Sequence, residues 1–101
     1  MTAAGSFNVQ PNHPSLPGHF PGRPIVPGVL LMTEIFALLG AAHPGLRVDA
    51  LEQAKFLRPV LPGEVVTLDS RLAEAGRVYF TGMIGAETAL RGVARMLPAP
   101  A

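Results

Sequence analysis

Pro27-Gly28-Val29-Leu30-Leu31-Met32-Thr33-Glu34-Ile35-Phe36-Ala37-Leu38-Leu39-Gly40 is the stretch on which the fold turns. Its length and composition predict a helix over Val29–Leu39, with a proline near the first turn and a glycine near the end. Apart from Thr33 and Glu34 it is apolar nearly all round. A helix of that kind is expected to be buried on every side. It is also too short for the ~20 apolar residues that a membrane span needs.

Outward from the helix the chain reads as strands. Downstream, a turn at His43-Pro44-Gly45 leads to a weak strand over Ala50–Phe56, and the turn Pro59-Val60-Leu61-Pro62-Gly63 follows. Glu64–Leu72 alternates, with Val66, Leu68 and Ser70 on one face and Val65, Thr67, Asp69 and Arg71 on the other. Ala75-Gly76-Arg77 turns into Val78–Ile84, and Gly85-Ala86-Glu87 turns into Thr88–Leu97, which together predict an antiparallel meander. Upstream, Ser6–Gln10 alternates like a short strand. Between it and the helix, Pro11–Gly28 holds six prolines and three glycines and can be neither helix nor central strand. Its apolar Leu16, Phe20, Ile25 and Val26 indicate an ordered loop, and long ordered loops in small domains usually carry function. The tail Pro98–Ala101 is expected to be disordered.

These elements define an α+β class: one antiparallel sheet curled around one buried helix, in a single domain over residues 1–101. Charged residues make up 15% of the chain, against about 25% in typical domains. The apolar surface left over, and the sheet's edge strand, are expected to meet a second copy of the chain. A net charge of +1 with scattered basic residues gives no nucleic-acid signal. With no cysteine, disulfides and thiolate metal sites are excluded. Met1–Gly5 lacks the features of a signal peptide, so a cytoplasmic location is expected.

One segment carries recognisable chemistry. His19-Phe20-Pro21-Gly22-Arg23-Pro24-Ile25-Val26-Pro27-Gly28-Val29-Leu30 resembles the H-F-P-G-x-P-x-x-P-G-V-L signature of the 3-hydroxyacyl-[acyl-carrier-protein] dehydratases, with every fixed position met. Ala54–Glu64 is similar to that family's following strand and turn, and the resemblance runs from about Phe7 to Met96, with the N-terminal segment that many members carry expected to be missing or cut short. It implies the hot-dog fold, a dimer, no cofactor, and removal of water from a 3-hydroxyacyl thioester to give a 2-enoyl thioester. In that reaction a base takes a proton from C2 and an acid protonates the departing C3 hydroxyl. Hydrogen-bond donors hold the thioester oxygen while charge builds there.

The resemblance assigns the base to His19, whose imidazole titrates near neutrality. Taken without the motif, a loop histidine is more often a partner for backbone groups. Gly28 suits the oxygen-binding role, since the start of a buried helix offers free N–H groups and the positive end of the dipole. The bland alternative, a plain helix-start glycine, is compatible with it. Phe20, Pro27, Val29 and Thr33 are expected to line the substrate site.

The acid breaks the pattern. The family places Asp or Glu fourteen positions after the histidine, which here is Thr33, and the carboxylate comes one residue later, at Glu34. One residue turns a side chain by about 100° around a helix. Three readings stay open. Glu34 serves through a shifted helix or a bridging water, desolvated by Leu30, Leu31 and Leu38 and so kept protonated. Or Thr33 only positions a water or the substrate hydroxyl. Or the acid is lost and the chain is a weak or inactive homologue, with Glu34 in an ion pair at an interface or helix edge.

The other two histidines carry less: His13 belongs to the proline-rich loop, and His43 is expected to be exposed after the helix. The three histidines show no metal-ligand spacing. Met32, Phe36, Phe56, Phe80 and Met83 are expected in the core or along an acyl tunnel. Arg23, Arg58 and Lys55 are candidates to meet an acidic carrier protein or its phosphate, although scattered charges are usually just solvated. The expected substrate is carried by acyl carrier protein or coenzyme A, and the expected assembly is a homodimer, a higher oligomer or a heterodimer. The resemblance implies that each site takes its histidine, His19, from one chain and its helix acid from the other. The rival readings are a non-catalytic subunit or acyl-binding protein on the same fold and, less favoured, thioester hydrolysis.

Overall fold

The computed structural model describes residues 2–11 and 25–100. Five strands and one helix follow in the order β1 (Thr2–Phe7), α1 (Gly28–Ala42), β2 (Leu46–Phe56), β3 (Val66–Leu72), β4 (Arg77–Ile84) and β5 (Glu87–Pro98), with one short 3₁₀ turn at Glu74–Gly76 before β4. The strands form a single antiparallel sheet in the order β1-β3-β4-β5-β2. The meander β3-β4-β5 read from the alternation is its centre, and β1 and β2 flank it.

Alternation explains the sheet's two faces. Val66, Leu68 and Ser70 of β3, Val78 and Phe80 of β4, and Leu90, Ala94 and Met96 of β5 are buried on the inner face. Against them lie Leu31, Ile35 and Leu39 of α1, spaced four residues apart on one stripe. Burying each such side chain contributes roughly 1.5–3 kcal/mol. Glycine makes the close approach possible: a Cβ on Gly92 would collide with the Gln53 carbonyl oxygen and the Phe80 ring, which leans across it. The β4–β5 turn has two residues between the paired Ile84 and Glu87, and Gly85 takes φ +60°, as a type II′ turn requires. At the β3–β4 turn the left-handed position falls on Ala75, at φ 61°.

The elements depart from the sequence reading in several places. The first strand is Thr2–Phe7 rather than Ser6–Gln10; Val9 is buried beyond its end, where its carbonyl accepts from the Gly63 N–H at 2.8 Å. β2 begins at Leu46, four residues before the expected start at Ala50, because β5 extends far enough to pair Leu46 with Pro98. The same extension corrects the expected loose tail: Pro98 ends a strand, and the Ala99 N–H donates to the Gly45 carbonyl at 2.8 Å.

α1 is the larger correction. It is buried on one stripe and not all round, with Val29 81% exposed and Thr33 and Ala37 also open. Five strands are too few to encircle a 15-residue helix, so the described residues leave one side of it uncovered. Phe56, expected in the core or along an acyl tunnel, is not in the core: it is 47% exposed at the end of β2. Phe80 is buried as expected, while Met32 and Phe36 pack at the core's margin.

Candidate active site

The amino end of α1 is built to receive a polar atom. Pro27 precedes the helix in an extended conformation and gives no side-chain cap, and no acidic residue stands in the first turn. The Leu30 and Leu31 N–H groups both donate to the Pro27 carbonyl, at 3.0 and 3.1 Å. Among the described residues the N–H groups of Gly28 and Val29 have no acceptor. They stand at the positive end of the helix dipole, where developing negative charge is stabilised.

Gly28 sits where two apolar clefts meet. One cleft, of about 470 Å³, is walled by Ile25, Val26, Pro27, Gly28 and Leu31 on one side and by residues 56–60 on the other. The second, of about 410 Å³, lies between Gly28, Val29, Met32, Thr33 and Phe36 of α1 and Leu51, Ala54 and Phe56 of β2. Phe56 belongs to both, and a Cβ placed on Gly28 would come within 3.4 Å of its ring. The exposed phenylalanine is thus the partition between two apolar spaces beside the free N–H groups.

The two acid candidates fall on different sides of the helix. Thr33 lines the second cleft, toward β2, and its hydroxyl donates to the Val29 carbonyl at 3.0 Å. With its proton committed there, Thr33 Oγ1 offers the cleft only acceptor lone pairs. Glu34 lies on the stripe it shares with Leu30 and Leu38, and Leu38 packs close to Gly5 of β1. Glu34 is half-buried and lines neither cleft.

Of the remaining sequence candidates, Pro27 and Val29 line the clefts. His19 and Phe20, with His13 and Arg23, lie outside the described residues. His43 is not exposed as expected: it is half-buried at the end of α1, and its Nε2 shares a 3.0 Å hydrogen bond with Oγ of the buried Ser70.

Arg58 lines the first cleft but is taken up by carboxylates. It holds Glu64 through both carboxylate oxygens at 2.8 Å and Glu87 at 3.2 Å. Glu64 is held below its ordinary pKa, first by the Leu61 N–H and then by Arg58, and the Arg58 guanidinium is raised by Glu64. This cluster fixes the turn that carries Pro59 and Val60 into the cleft wall. Sequence reasoning missed it, although the Arg58–Glu64 spacing within a Pro-Gly turn was its visible signal.

A curled antiparallel sheet carrying one helix, with apolar clefts beside the helix's amino end, is a hot-dog domain. Comparison with known proteins places it further: the ApeI-like family, described as ApeI dehydratase, matches residues 1–92, and the chain belongs to that dehydratase family. It is 34% identical over 108 residues to the 3-hydroxyacyl-[acyl-carrier-protein] dehydratase FabZ of Syntrophotalea carbinolica, covering 90% of this chain and 74% of that protein. The corresponding FabZ of Thermomicrobium roseum is 37% identical over 89 residues, covering 79% of this chain and 59% of the relative. Among solved structures, the dehydratase heterocomplex ApeI:P from Xenorhabdus doucetiae superposes with a TM-score of 0.76 at 25% identity, over 90% of this chain and 82% of the other.

Proposed function

We propose that the chain dehydrates 3-hydroxyacyl thioesters to 2-enoyl thioesters in a fatty-acid or polyketide-type biosynthesis, in the cytoplasm. The substrate would be presented on an acyl carrier protein or coenzyme A. The observation that carries this reading is the uncapped amino end of α1 at Gly28, flanked by two apolar clefts and preceded by the full dehydratase signature.

In this reading the Gly28 N–H holds the thioester oxygen, the acyl chain lies in a cleft beside Phe56, and His19 takes the C2 proton. The C3 hydroxyl leaves as water when an acid protonates it. Thr33 accepts a hydrogen bond from that hydroxyl or from a water beside it. Glu34, the one carboxylate of α1, supplies the proton through that water, since its own stripe faces β1. An indirect proton path makes turnover slow.

The uncovered side of α1 and the free edge of β2 are the surfaces that a second chain would cover. A homodimer is the simplest arrangement, with heterodimers and higher oligomers built from the same edge. A second reading, a catalytically weak subunit that pairs with an active partner, is favoured by Thr33 alone, because its hydroxyl proton is spent on Val29.

Purified protein mixed with a 3-hydroxyacyl or 2-enoyl thioester, followed by enoyl absorbance, separates the two. Slow turnover that falls by roughly 10²–10⁴ in His19→Ala is expected. Turnover that survives His19→Ala removes the base assignment, and its absence with every chain length favours the subunit reading.

A further inference from the structure

Six of the eight basic residues, scattered along the sequence, are gathered by the sheet onto its outer face, away from α1. Lys55 and Gln53 of β2, Tyr79 and Thr81 of β4, and Arg91 and Val93 of β5 alternate with the inward Ala54, Phe80 and Gly92. Arg71, Arg77, Arg95 and Arg47 extend the same face.

Two like-charged pairs stand directly opposite each other across neighbouring strands: Arg77 against Arg95, and Lys55 against Arg91. Opposed like charges destabilise a sheet. At the first pair the protein supplies counter-charges, with Glu52 on Arg77 at 2.9 Å and Asp49 on Arg95 at 3.3 Å. At the second pair, among the described residues, no carboxylate forms an ion pair with either cation. By register, Asp69 is opposite Thr81 and so two strands from Arg91, and Glu52, already bonded to Arg77, is three residues before Lys55 on β2; each is about 10 Å from the nearer cation of the pair.

The uncompensated pair borders a groove of about 290 Å³ whose walls are Gln53, Lys55, Tyr79, Thr81, Arg91 and Val93, over the strand backbone at Phe80 and Gly92. Its polar side chains are an amide, two hydroxyls and two cations, with no acid. A third cation, Arg71, is held over the Tyr79 ring at 4.7 Å. Convergent neutral donors around paired cations match a compact group with several acceptor oxygens and a double negative charge.

We propose that this groove binds the phosphate of a small phosphate ester, seated between Lys55 and Arg91 with Thr81 and Gln53 as hydrogen-bond donors. The sheet stands between this groove and the clefts beside Gly28, so the ligand is not the reacting acyl group, and the site is independent of the dehydratase reading. An acidic protein surface would instead engage all six basic residues together.

The test is a backbone-amide NMR titration of the full-length protein with sodium phosphate, ionic strength held constant with sodium chloride. Saturable shifts are expected at Gln53, Lys55, Thr81 and Arg91. Affinity should weaken by about tenfold or more in Arg91→Gln and likewise in Lys55→Gln. It should stay within about twofold in Arg95→Gln, whose cation already has Asp49. Without phosphate, Arg91→Gln should melt slightly higher than the parent, because the opposed charge is gone.

No saturable shift at these amides overturns the proposal. So do equal shifts along Arg47, Arg71, Arg77 and Arg95, which would mark a diffuse acidic-partner face. Binding to phosphatidylglycerol vesicles with no response to inorganic phosphate would overturn it in favour of a membrane surface.

Discussion

On the proposed function, replacing Thr33 by aspartate should speed the dehydration of 3-hydroxyacyl thioesters. Thr33 is five residues past Gly28, which at 1.5 Å per residue places it about 7.5 Å along the helix axis from the free N–H groups. The thioester oxygen and the C3 oxygen are only four bonds apart, and a hydrogen bond of about 2.9 Å at each end extends their reach to a distance of that order. Thr33 lines the cleft on the β2 side, where its hydroxyl proton is bound to the Val29 carbonyl and cannot be passed on. An aspartic acid there would face the same cleft with a transferable proton. Once the second chain of the proposed dimer covers this side of the helix, its apolar neighbours Met32, Phe36, Leu51 and Phe56 would disfavour the ionised form and keep it protonated, as an acid catalyst requires.

A positioned general acid contributes roughly 10²–10⁴ in rate, and a water-relayed Glu34 would already supply part of that, so kcat should rise roughly 10- to 100-fold. Thr33 is exposed in the single chain, and a surface change of this kind should alter stability by less than about 0.5 kcal/mol. Enoyl absorbance under saturating thioester gives kcat, and a thermal melt verifies the fold. Glu34→Gln provides the internal comparison: it should slow the parent protein and have little effect once Asp occupies position 33. A folded Thr33→Asp variant with no gain refutes the reasoning. So does a Glu34→Gln loss that is equally deep in both backgrounds.

Four further outcomes follow from the geometry. Gly28→Ala should fold, since its Cβ would meet the Phe56 ring at 3.4 Å, yet kcat/KM should fall about tenfold or more as the partition between the clefts is displaced. Gly92→Ala forces a methyl into the Gln53 carbonyl and the Phe80 ring; a loss of about 3 kcal/mol, or a melting temperature lower by more than 10 °C, is expected in a thermal scan. Ala75→Gly should raise the melting temperature by a few degrees, because it relieves roughly 1 kcal/mol of left-handed strain at φ 61°. Glu64 is ionised more readily in the folded state than in the unfolded chain, so its contribution is present above the ordinary carboxylate pKa and lost as pH falls through its lowered value. Glu64→Gln should therefore flatten the acid limb of melting temperature against pH, by a small amount at a half-buried site still reached by solvent.

Much of this was legible where the determining pattern is local. The apolar run after Gly28, broken at Thr33 and Glu34, the Val66-Leu68-Ser70 alternation and the two-residue turn at Gly85 each declare their element within a few residues. The residues around Gly28 likewise carry the resemblance to the family whose model matches the chain. The uncovered side of α1 was not legible, because an apolar helix reads the same whether a sheet or a second chain covers it. Nor was the His43–Ser70 hydrogen bond, which joins positions 27 residues apart through the packing of α1 on β3.

Faces are hardest to read on β2, and there the reason is physical. Its register against β5 shifts between Val48 and Ala50 and again between Leu51 and Gln53. Each shift inserts a residue, and a one-residue slip exchanges the two faces of everything beyond it. Strict alternation from Val48 would carry across two exchanges unnoticed, and simple counting cannot locate them. The second shift sends Gln53 and Lys55 outward, and it turns Ala54 and Phe56 toward α1. The same few ångströms of backbone therefore decide two things at once: that an aromatic ring divides the clefts beside Gly28, and that Lys55 stands opposite Arg91 without a counter-charge. A change that removed the bulge at Glu52 would exchange both faces together, so the cleft partition and the cationic pair should be lost in the same variant rather than separately.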